Sequence, residues 1–398
     1  MAQSGPGREG RTAWVLAVAV FVGFFDTFAL LPVLPVYVHS LGAEAWQIGL
    51  AVSVYSLVGL LMQVVGGYAA DVVGRKPPLL VSFLGAAFAV GLYGAVPSVW
   101  WLIVFRVLHA LAGAFFLPAL FALIGERAGV RRAEAMGYAG ALVGIAAIVA
   151  PPIGGAVARA WGAPTLFIGI ALMMAMTALL LWRSVPETFQ KAVDPSAIKP
   201  LALLRIPMLV ALYGVTAAFT FCTGVLAYGF PLLLTERGYT TATAGALLGW
   251  MALVAVPVMA FLRQWHSLGR TLLGLSIIAA CMAVLWWIPE LWQLVAVMGI
   301  YGVGFGLVFP SLHFLTFEYA PPTLRGSAFA LLYVFYSGGI VSGPLVAGAI
   351  TGILPPGLVA ATVVCMVIGI VGGWRVWEGR IRWAQSQGRS FGNSLPLR

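Results

Sequence analysis

Long apolar runs recur from one end of this chain to the other. Each is on the order of 20 residues or more, the length that a helix needs to cross a bilayer. Hydrophobic residues make up 62% of the 398 residues and charged residues 9%, whereas a soluble domain carries about 25% charged residues. Inside lipid every backbone polar group must bond internally, so runs without strict alternation predict helices rather than barrel strands. The sequence therefore predicts an all-α polytopic membrane protein.

The breaks between the apolar runs divide the chain into twelve predicted transmembrane helices. The longest polar segment follows the sixth helix, and we expect it to link two six-helix bundles. The predicted parts are an N-terminal bundle at 1–183, a cytoplasmic linker at 184–205, a C-terminal bundle at 206–377 and a loose cytoplasmic tail at 378–398. The helices are predicted near 12–38, 46–70, 78–97, 99–125, 134–159, 163–183, 206–235, 243–264, 269–288, 291–317, 324–353 and 356–377.

The basic residues predict how these helices are oriented. If the N-terminus is cytoplasmic, all but three of the 22 Lys and Arg residues fall on the cytoplasmic side. The exceptions are Arg159 and Arg237 outside and Arg106 within a helix. By the positive-inside rule both termini are cytoplasmic, and we expect a multi-pass protein of the cell membrane. The first apolar run is longer than the core of a signal peptide, so we expect no cleaved signal peptide.

Several functional classes lack support in the sequence. The net charge of +10 comes from basic residues scattered between apolar runs, so nucleic-acid binding is not expected. The three cysteines lie inside apolar runs, which indicates neither a disulfide framework nor a metal site. There is no Walker sequence for ATP. The predicted helices hold no paired carboxylates and no Ser–His pair, so we expect a protein that is not an enzyme and needs no cofactor.

Two segments of the chain repeat in its second half. PVYVHSLGAEAWQIG at 35–49 and PLLLTERGYTTATAG at 231–245 share a Pro and two Gly residues at an offset of 196 residues. VAPPIGG at 149–155 matches SGPLVAG at 342–348 at an offset of 193 residues. Two parallel six-helix halves with a site between them at the middle of the membrane are the plan of a transporter. The repeat therefore predicts two pseudo-symmetric bundles.

Four short motifs carry a resemblance to a known family. They are PVLP at 32–35, GGYAADVVGRK at 66–76, RVLHALAG at 106–113 and APPIGG at 150–155. With them the chain resembles the major facilitator superfamily over essentially its full length, and within it the twelve-helix drug:proton antiporters. The resemblance implies twelve helices in two six-helix bundles that move substrate by alternating access.

The motif at 66–76 is similar to the family's loop between the second and third helices. A glycine there supplies the backbone freedom for a reversal of direction at the membrane face. Arg75 can pair with a carboxylate, and Glu126 at the end of the fourth helix is a candidate partner. A simple positive-inside loop would explain Arg75 and Lys76 but not Asp71. The resemblance implies a cytoplasmic gate that latches the two halves, built from Gly67, Asp71, Gly74, Arg75, Lys76 and Glu126.

The candidates for proton coupling are three ionisable residues that are predicted to lie inside the membrane. Asp26 lies mid-way along the first helix, where a carboxylate costs roughly 2.5–3.5 kcal/mol and marks a functional hypothesis. Arg106 keeps its charge, and we expect a switching contact between it and Asp26. His109 lies on the same face and can take up a proton near neutral pH. The alternatives are a permanent Asp26–Arg106 ion pair and a His109 that only packs.

The motif APPIGG is similar to the family's antiporter motif, carried here by Ala150, Pro151, Gly154 and Gly155. Proline should kink the fifth helix and glycine should allow close packing. The resemblance implies a stiff interface that prevents leak. A simple packing role is the alternative.

The predicted substrate cavity is aromatic and poor in amides. One face of the tenth helix carries Tyr301, Phe305, Phe309 and His313, although such a stripe also suits packing. Asn393 in the tail is the only Asn, which argues against a sugar, because sugar hydroxyls need hydrogen-bond partners. The candidate cavity residues are Tyr55, Gln63, Phe219, Tyr228, Tyr301, Phe305, Tyr333 and Tyr336.

These observations together predict a proton-coupled exporter of hydrophobic or amphiphilic small molecules. Its expected partners are the substrate, protons and membrane lipid, the proton gradient is its energy source, and it is expected to act as a monomer. The main alternative is an uptake or lipid-type carrier on the same fold. A membrane sensor that transports nothing would leave the charges of Asp26 and Arg106 without a purpose.

Overall fold

A computed structural model describes residues 6–128, 131–187, 200–261, 267–288, 290–321 and 324–386. Helices supply all the regular secondary structure in these residues. The α-helices are α1 (Pro6–Leu30), α2 (Leu34–Ser40), α3 (Ala45–Val73), α4 (Lys76–Leu92), α5 (Val99–Gly113), α6 (Phe116–Ala128), α7 (Arg132–Trp161), α8 (Ala163–Ser184), α9 (Pro207–Glu236), α10 (Thr241–Phe261), α11 (Leu268–Leu285), α12 (Leu291–Tyr319), α13 (Arg325–Ile350) and α14 (Pro356–Ser386). Two 3-10 helices are η1 (Tyr93–Ala95) and η2 (Pro200–Arg205).

Twelve segments of the described chain are long and apolar enough to cross a membrane. They follow one another in the predicted order, with α5 and α6 together forming the fourth span. The prediction of an all-α protein with twelve transmembrane helices is therefore confirmed. The boundaries of the two bundles and of the linker stay a prediction, and residues 188–199 of that linker lie outside the described residues.

Two predicted helices are interrupted, and a proline stands in the first turn of the helix that follows each break. The first span is broken between Leu30 and Leu34, and the fourth between Gly113 and Phe116. Proline lacks the N–H that would bond the carbonyl four residues earlier, and its ring clashes with that carbonyl. Pro35 and Pro118 stand four residues after Leu31 and Ala114, where the two turns occur.

The C-terminal boundary differs from the prediction. The loose tail was expected from residue 378, but α14 continues through this point to Ser386. The segment WRVWEGRIRWAQS contains no proline, and Glu378 and Arg382 stand four residues apart, a favourable spacing on a helix. The residues that follow Ser386 lie outside the described chain.

The same helix pairs pack in both halves of the chain. The pairs α1–α7, α3–α5 and α4–α8 of the first six spans recur as α9–α13, α10–α12 and α11–α14 in the last six. Between the halves, α7 packs on α10 and α3 packs on α13. These two contacts are equivalent under the repeat, because α7 corresponds to α13 and α10 to α3.

The repeated sequence motifs contact each other where the halves meet. A Cβ atom on Gly155 would overlap the carbonyl oxygen of Thr241, the first residue of α10, and a Cβ atom on Gly348 would meet that of Ala45, the first residue of α3. A matching pair places Gly245 against the carbonyl of Pro151 and Gly49 against the carbonyl of Pro344. The first copy of each motif therefore packs on the second copy of the other motif, and only glycine fits at these positions. This close packing lies at the end of the bundle predicted to face outside.

Candidate functional site

Asp26 in α1 is buried inside the first six spans, and its side chain is 2% exposed. Its Oδ2 lies 3.1 Å from Nε2 of His109 in α5. Its Oδ1 has no hydrogen-bond partner among the described residues. A buried carboxylate with one paired and one unpaired oxygen is costly unless it is compensated or protonated. Binding a proton would therefore relieve the cost of burying this carboxylate.

Both ring nitrogens of His109 are engaged. Nδ1 lies 2.9 Å from the hydroxyl of Tyr93, and the ring centroid lies 4.8 Å from that of Tyr55 in α3. An ionised carboxylate can only accept, so Nε2 of a neutral imidazole carries the hydrogen toward Asp26 and Nδ1 accepts from Tyr93. When the imidazole gains a second proton, Nδ1 donates to Tyr93 instead. His109 therefore connects Asp26 to a tyrosine hydroxyl in either protonation state.

Arg106 does not make the predicted contact with Asp26. Its Nε donates to the carbonyl of Ala51 at 3.0 Å and its Nη2 to the carbonyl of Val52 at 3.2 Å. The guanidinium also lies over the Tyr55 ring, 5.2 Å from its centroid. Within the described residues the ion pair of Asp26 is with His109. In this conformation backbone carbonyls of α3 take the guanidinium donors, while His109, one turn further along α5, meets the carboxylate.

The cluster therefore holds one acid, one permanent cation and one titratable base. With Asp26 ionised and His109 neutral, the charges of Asp26 and Arg106 cancel, and one added proton gives a net charge of +1. Ionisable groups at this depth in a membrane helix mark ion pathways and proton relays as a rule. The arrangement can hold or release a proton inside the bundle.

Comparison with known proteins shows which family this chain belongs to. The model of the Major Facilitator Superfamily matches residues 16–344. The chain belongs to the Major Facilitator Superfamily. It is thus a multi-pass membrane transporter and not an enzyme.

The relatives of this superfamily member include proteins named for drug resistance. The chain is 25% identical to the multi-drug resistance efflux pump PmrA of Streptococcus pneumoniae serotype 4, over 85% of this chain and 89% of the relative. It is 28% identical to the multidrug resistance protein MdtG of Enterobacter lignolyticus, over 83% and 84% of the two chains. A solved bacterial homologue of the human lysosomal transporter Spinster, inward-facing and occupied, superposes with a TM-score of 0.76 over 92% and 93% at 17% identity.

The superfamily loop motif forms a contact inside the first half. The Nε of Arg75 lies 2.8 Å from Oε1 of Glu126 at the end of α6, which is the pairing that the sequence predicted. Both residues belong to the first six spans, so this ion pair does not bridge the halves. Gly74 takes a positive φ of 110°, a conformation that favours glycine. The side chain of Asp71 and the packing of Gly67 lie outside the described part of this motif.

Glu187 completes this contact and was missed by sequence reasoning. Its two carboxylate oxygens accept hydrogen bonds from the backbone N–H groups of Arg75 and Lys76, each at 2.9 Å. These N–H groups open α4, where the helix dipole favours an anion. Lys76 Nζ in turn donates to the carbonyl of Trp182 at 2.7 Å. The one signal in the sequence is an acid just after the sixth helix, within the predicted linker.

The antiporter motif lies at the junction of three helices. α7 remains helical through Pro151 and its neighbour Pro152. Ala150 is buried, and Gly154 packs against the carbonyl of Ala29 in α1. Gly155 packs against α10 of the other half, and its carbonyl accepts a hydrogen bond from the Thr241 hydroxyl at 3.0 Å. The motif therefore joins α1, α7 and α10 at the closely packed end.

The predicted cavity residues separate into groups. Phe219, Tyr228 and Tyr301 are almost fully buried, and Tyr228 donates to the carbonyl of Ala45 at 3.3 Å, between the halves. In this conformation these three residues pack rather than face open space. Tyr55 belongs to the Asp26 cluster, and the side chain of Gln63 lies outside the described residues.

The remaining candidates form an aromatic cluster in the second half. Phe305 stacks on Phe309 with centroids 5.8 Å apart, and the Phe309 ring lies 4.5 Å from His313. The hydroxyl of Tyr333 lies 3.2 Å from Nε2 of His313, and the Tyr333 ring lies 5.9 Å from Tyr336. This group (Phe305, Phe309, His313, Tyr333 and Tyr336) is called the aromatic cluster below.

Proposed function

We propose that this protein is a proton-coupled exporter of hydrophobic or amphiphilic small molecules, an antiporter that works by alternating access. The buried pair of Asp26 and His109 beside Arg106 carries this proposal. A transporter that only let its substrate diffuse would not need to bury an acid with an unpaired oxygen, because such a group is costly in a membrane. The names of the relatives support the export of drugs.

The proton acts through the charge of the cluster. When Asp26 is ionised, His109 is held to it by a charge-assisted hydrogen bond. Protonation of Asp26 removes that attraction, and α1 and α5 are then free to adjust relative to each other. The same proton also removes the negative charge that offsets the positive charge of Arg106. The two protonation states of the cluster therefore favour different arrangements of the helices.

Alternating access uses the two ends of the interface between the halves. At one end glycines bring the backbones of α7 and α10, and of α3 and α13, into contact. We take this arrangement as the state open toward the cytoplasm, where an exporter collects its substrate. Arg75, Glu126 and Glu187 then order the cytoplasmic face of the first half.

The aromatic cluster is the proposed contact for the substrate. Its rings offer apolar faces and its polar groups are a tyrosine hydroxyl and an imidazole, which suits an amphiphilic compound. We further propose two bundles divided at residues 184–205, both termini in the cytoplasm of a cell membrane, a monomer, and no cofactor besides the proton gradient.

Transport by purified protein in proteoliposomes tests this function. A thermal-shift screen of amphiphilic dyes, with ethidium and acriflavine among them, first selects the probe. An imposed pH gradient should drive uphill movement of that probe by the wild type, and Asp26→Asn should abolish the uphill movement while binding stays measurable. Normal uphill transport by Asp26→Asn would refute the proton assignment, and probe movement that ignores the gradient in the wild type would refute antiport.

A further inference from the structure

A small cavity lies beside Asp26 in the core of the first six spans. It provides about 20 Å³ for the centre of a water molecule. Its lining includes Asp26, Tyr55, Ser82 and His109, together with Phe83 and Phe116. A buried polar site holds one water when this measure exceeds roughly 10–15 Å³ and two to four polar groups are in reach. The cavity is large enough for one water molecule and far too small for a transported compound.

Two of the polar groups that line this cavity have unused hydrogen-bonding capacity. Asp26 Oδ1 is buried and has no partner among the described residues. The hydroxyl of Ser82 in α4 makes no hydrogen bond within the described chain, although Ser82 is only 3% exposed. By comparison, Ser276 in α11 bonds back to its own helix, to the carbonyl of Leu272 at 2.9 Å. Ser82 makes no such bond where its helix meets the cavity.

The charged and titratable groups around Asp26 come from three elements. α5 provides His109 and Arg106, α3 provides Tyr55, and η1 provides Tyr93 through its bond to His109. The other elements that line the cavity, α4, α6 and α8, contribute groups that do not titrate. Since His109 already occupies Oδ2, a proton that reaches Asp26 from the cavity meets Oδ1.

We propose that the cavity is a one-water site that joins Asp26 Oδ1 to Ser82 Oγ and delivers the coupled proton to Oδ1. Ser82 is then a positioning residue for proton transfer. This inference rests on the proposed function, because it assigns the proton-accepting atom within the Asp26 site.

The transfer step is simple and balanced. A proton arrives on the site as hydronium, one of its O–H bonds breaks, and a new O–H bond forms at Oδ1 of the carboxylate. A neutral water remains, bound to the new carboxylic acid and to Ser82. The reverse step releases the proton. His109 faces Oδ2 in both states, and its hydrogen bond there loses the help of charge once Oδ1 is protonated.

Two variants of Ser82 and one control test the site in proteoliposomes with the selected dye. Ser82→Ala removes the hydroxyl and leaves the space, and Ser82→Val also fills the space with methyl groups. We expect proton-driven dye movement to slow about tenfold in Ser82→Ala and more in Ser82→Val, because the water loses a partner or its place. Ser276→Ala removes a serine that is bonded to its own helix, and its rate should stay within about twofold.

Infrared difference spectroscopy of the wild type adds a measurement that needs no variant. Between high and low pH we expect a water band that shifts in H₂¹⁸O and that is lost in Ser82→Val. A wild type without this band, or a Ser82→Val protein that transports at the wild-type rate, overturns the inference and leaves the proposed function standing if Asp26→Asn is uncoupled. If Asp26→Asn stays coupled, the proposed function fails and this inference fails with it.

Discussion

His109 and His313 lie in the fourth and tenth spans, which correspond in the two halves, but their surroundings differ. His109 contacts a carboxylate and a tyrosine hydroxyl, with Arg106 nearby. His313 contacts the carbonyl of Phe309 at 2.8 Å and the hydroxyl of Tyr333 at 3.2 Å, and no carboxylate lies within ion-pair distance of it in the described residues. One half thus holds the buried charges, and the other offers aromatic surface.

This difference shows how two halves of the same fold can serve different functions. Because a carbonyl only accepts, Nδ1 of His313 carries a hydrogen permanently, and Nε2 faces Tyr333. His109 instead faces a group that can itself gain or lose a proton. We infer that the first half handles the proton and the second half the substrate, while the glycine contacts between the halves join the two events.

Replacement of the two histidines by leucine should show the largest contrast. His109→Leu leaves the Asp26 carboxylate buried without its partner, which costs about 3 kcal/mol. His313→Leu removes neutral hydrogen bonds and substitutes an apolar side chain among aromatic rings, which costs about 1 kcal/mol. Unfolding of both variants in detergent measures the difference. Equal losses of unfolding free energy in the two variants would mean that His109 does not stabilise the Asp26 carboxylate.

The glycines at the interface should respond alike in the two halves. Gly155→Ala and Gly348→Ala each push a methyl group into a backbone carbonyl of the opposite half, which costs about 1–3 kcal/mol in the closely packed state. Distances between spin labels on the outer ends of the halves should lengthen in both variants. Gly140→Ala is the control, because a Cβ atom there meets nothing within 4 Å. A shift in only one of the two variants would show that the repeat is not symmetric in its mechanics.

Replacement of the tyrosines beside the two histidines should distinguish proton handling from substrate binding, with the smallest effects of the three comparisons. Tyr93→Phe and Tyr333→Phe each remove one hydroxyl from a histidine, worth about 1 kcal/mol or roughly a fivefold change. We expect Tyr93→Phe to shift the pH profile of dye transport and Tyr333→Phe to raise the KM for the dye with little change in that profile. If Tyr333→Phe alters the pH profile and Tyr93→Phe does not, the assignment of tasks is reversed.

The number of spans could be predicted because long apolar runs are a local property of the sequence. The two breaks could not be predicted from proline alone, because α7 remains helical through Pro151 and Pro152 whereas the chain breaks just before Pro35 and Pro118. The pairing of Arg75 with Glu126 was predictable, because a loop motif and a helix end both lie at one membrane face.

The partners of buried groups could not be predicted in the same way. Arg106 and His109 are one turn apart, and the sequence does not reveal which of them meets Asp26 when backbone carbonyls compete for the guanidinium. Glu187 binds backbone N–H groups, which every residue but proline carries, so no residue type marks its partner. The place of Ser82 beside the cavity of Asp26 depends on how α1, α4 and α5 pack, which the sequence does not specify.

Proton movement driven by the substrate tests the central claim most directly. A dye gradient across proteoliposomes that contain a pH-sensitive fluorophore must move protons if the two fluxes are coupled, because coupling is reciprocal. We predict a pH change inside the vesicles with the wild type and with His313→Leu, although the latter needs more dye, and none with Asp26→Asn. A wild-type pH change that persists in Asp26→Asn would contradict the role of the Asp26–His109 pair.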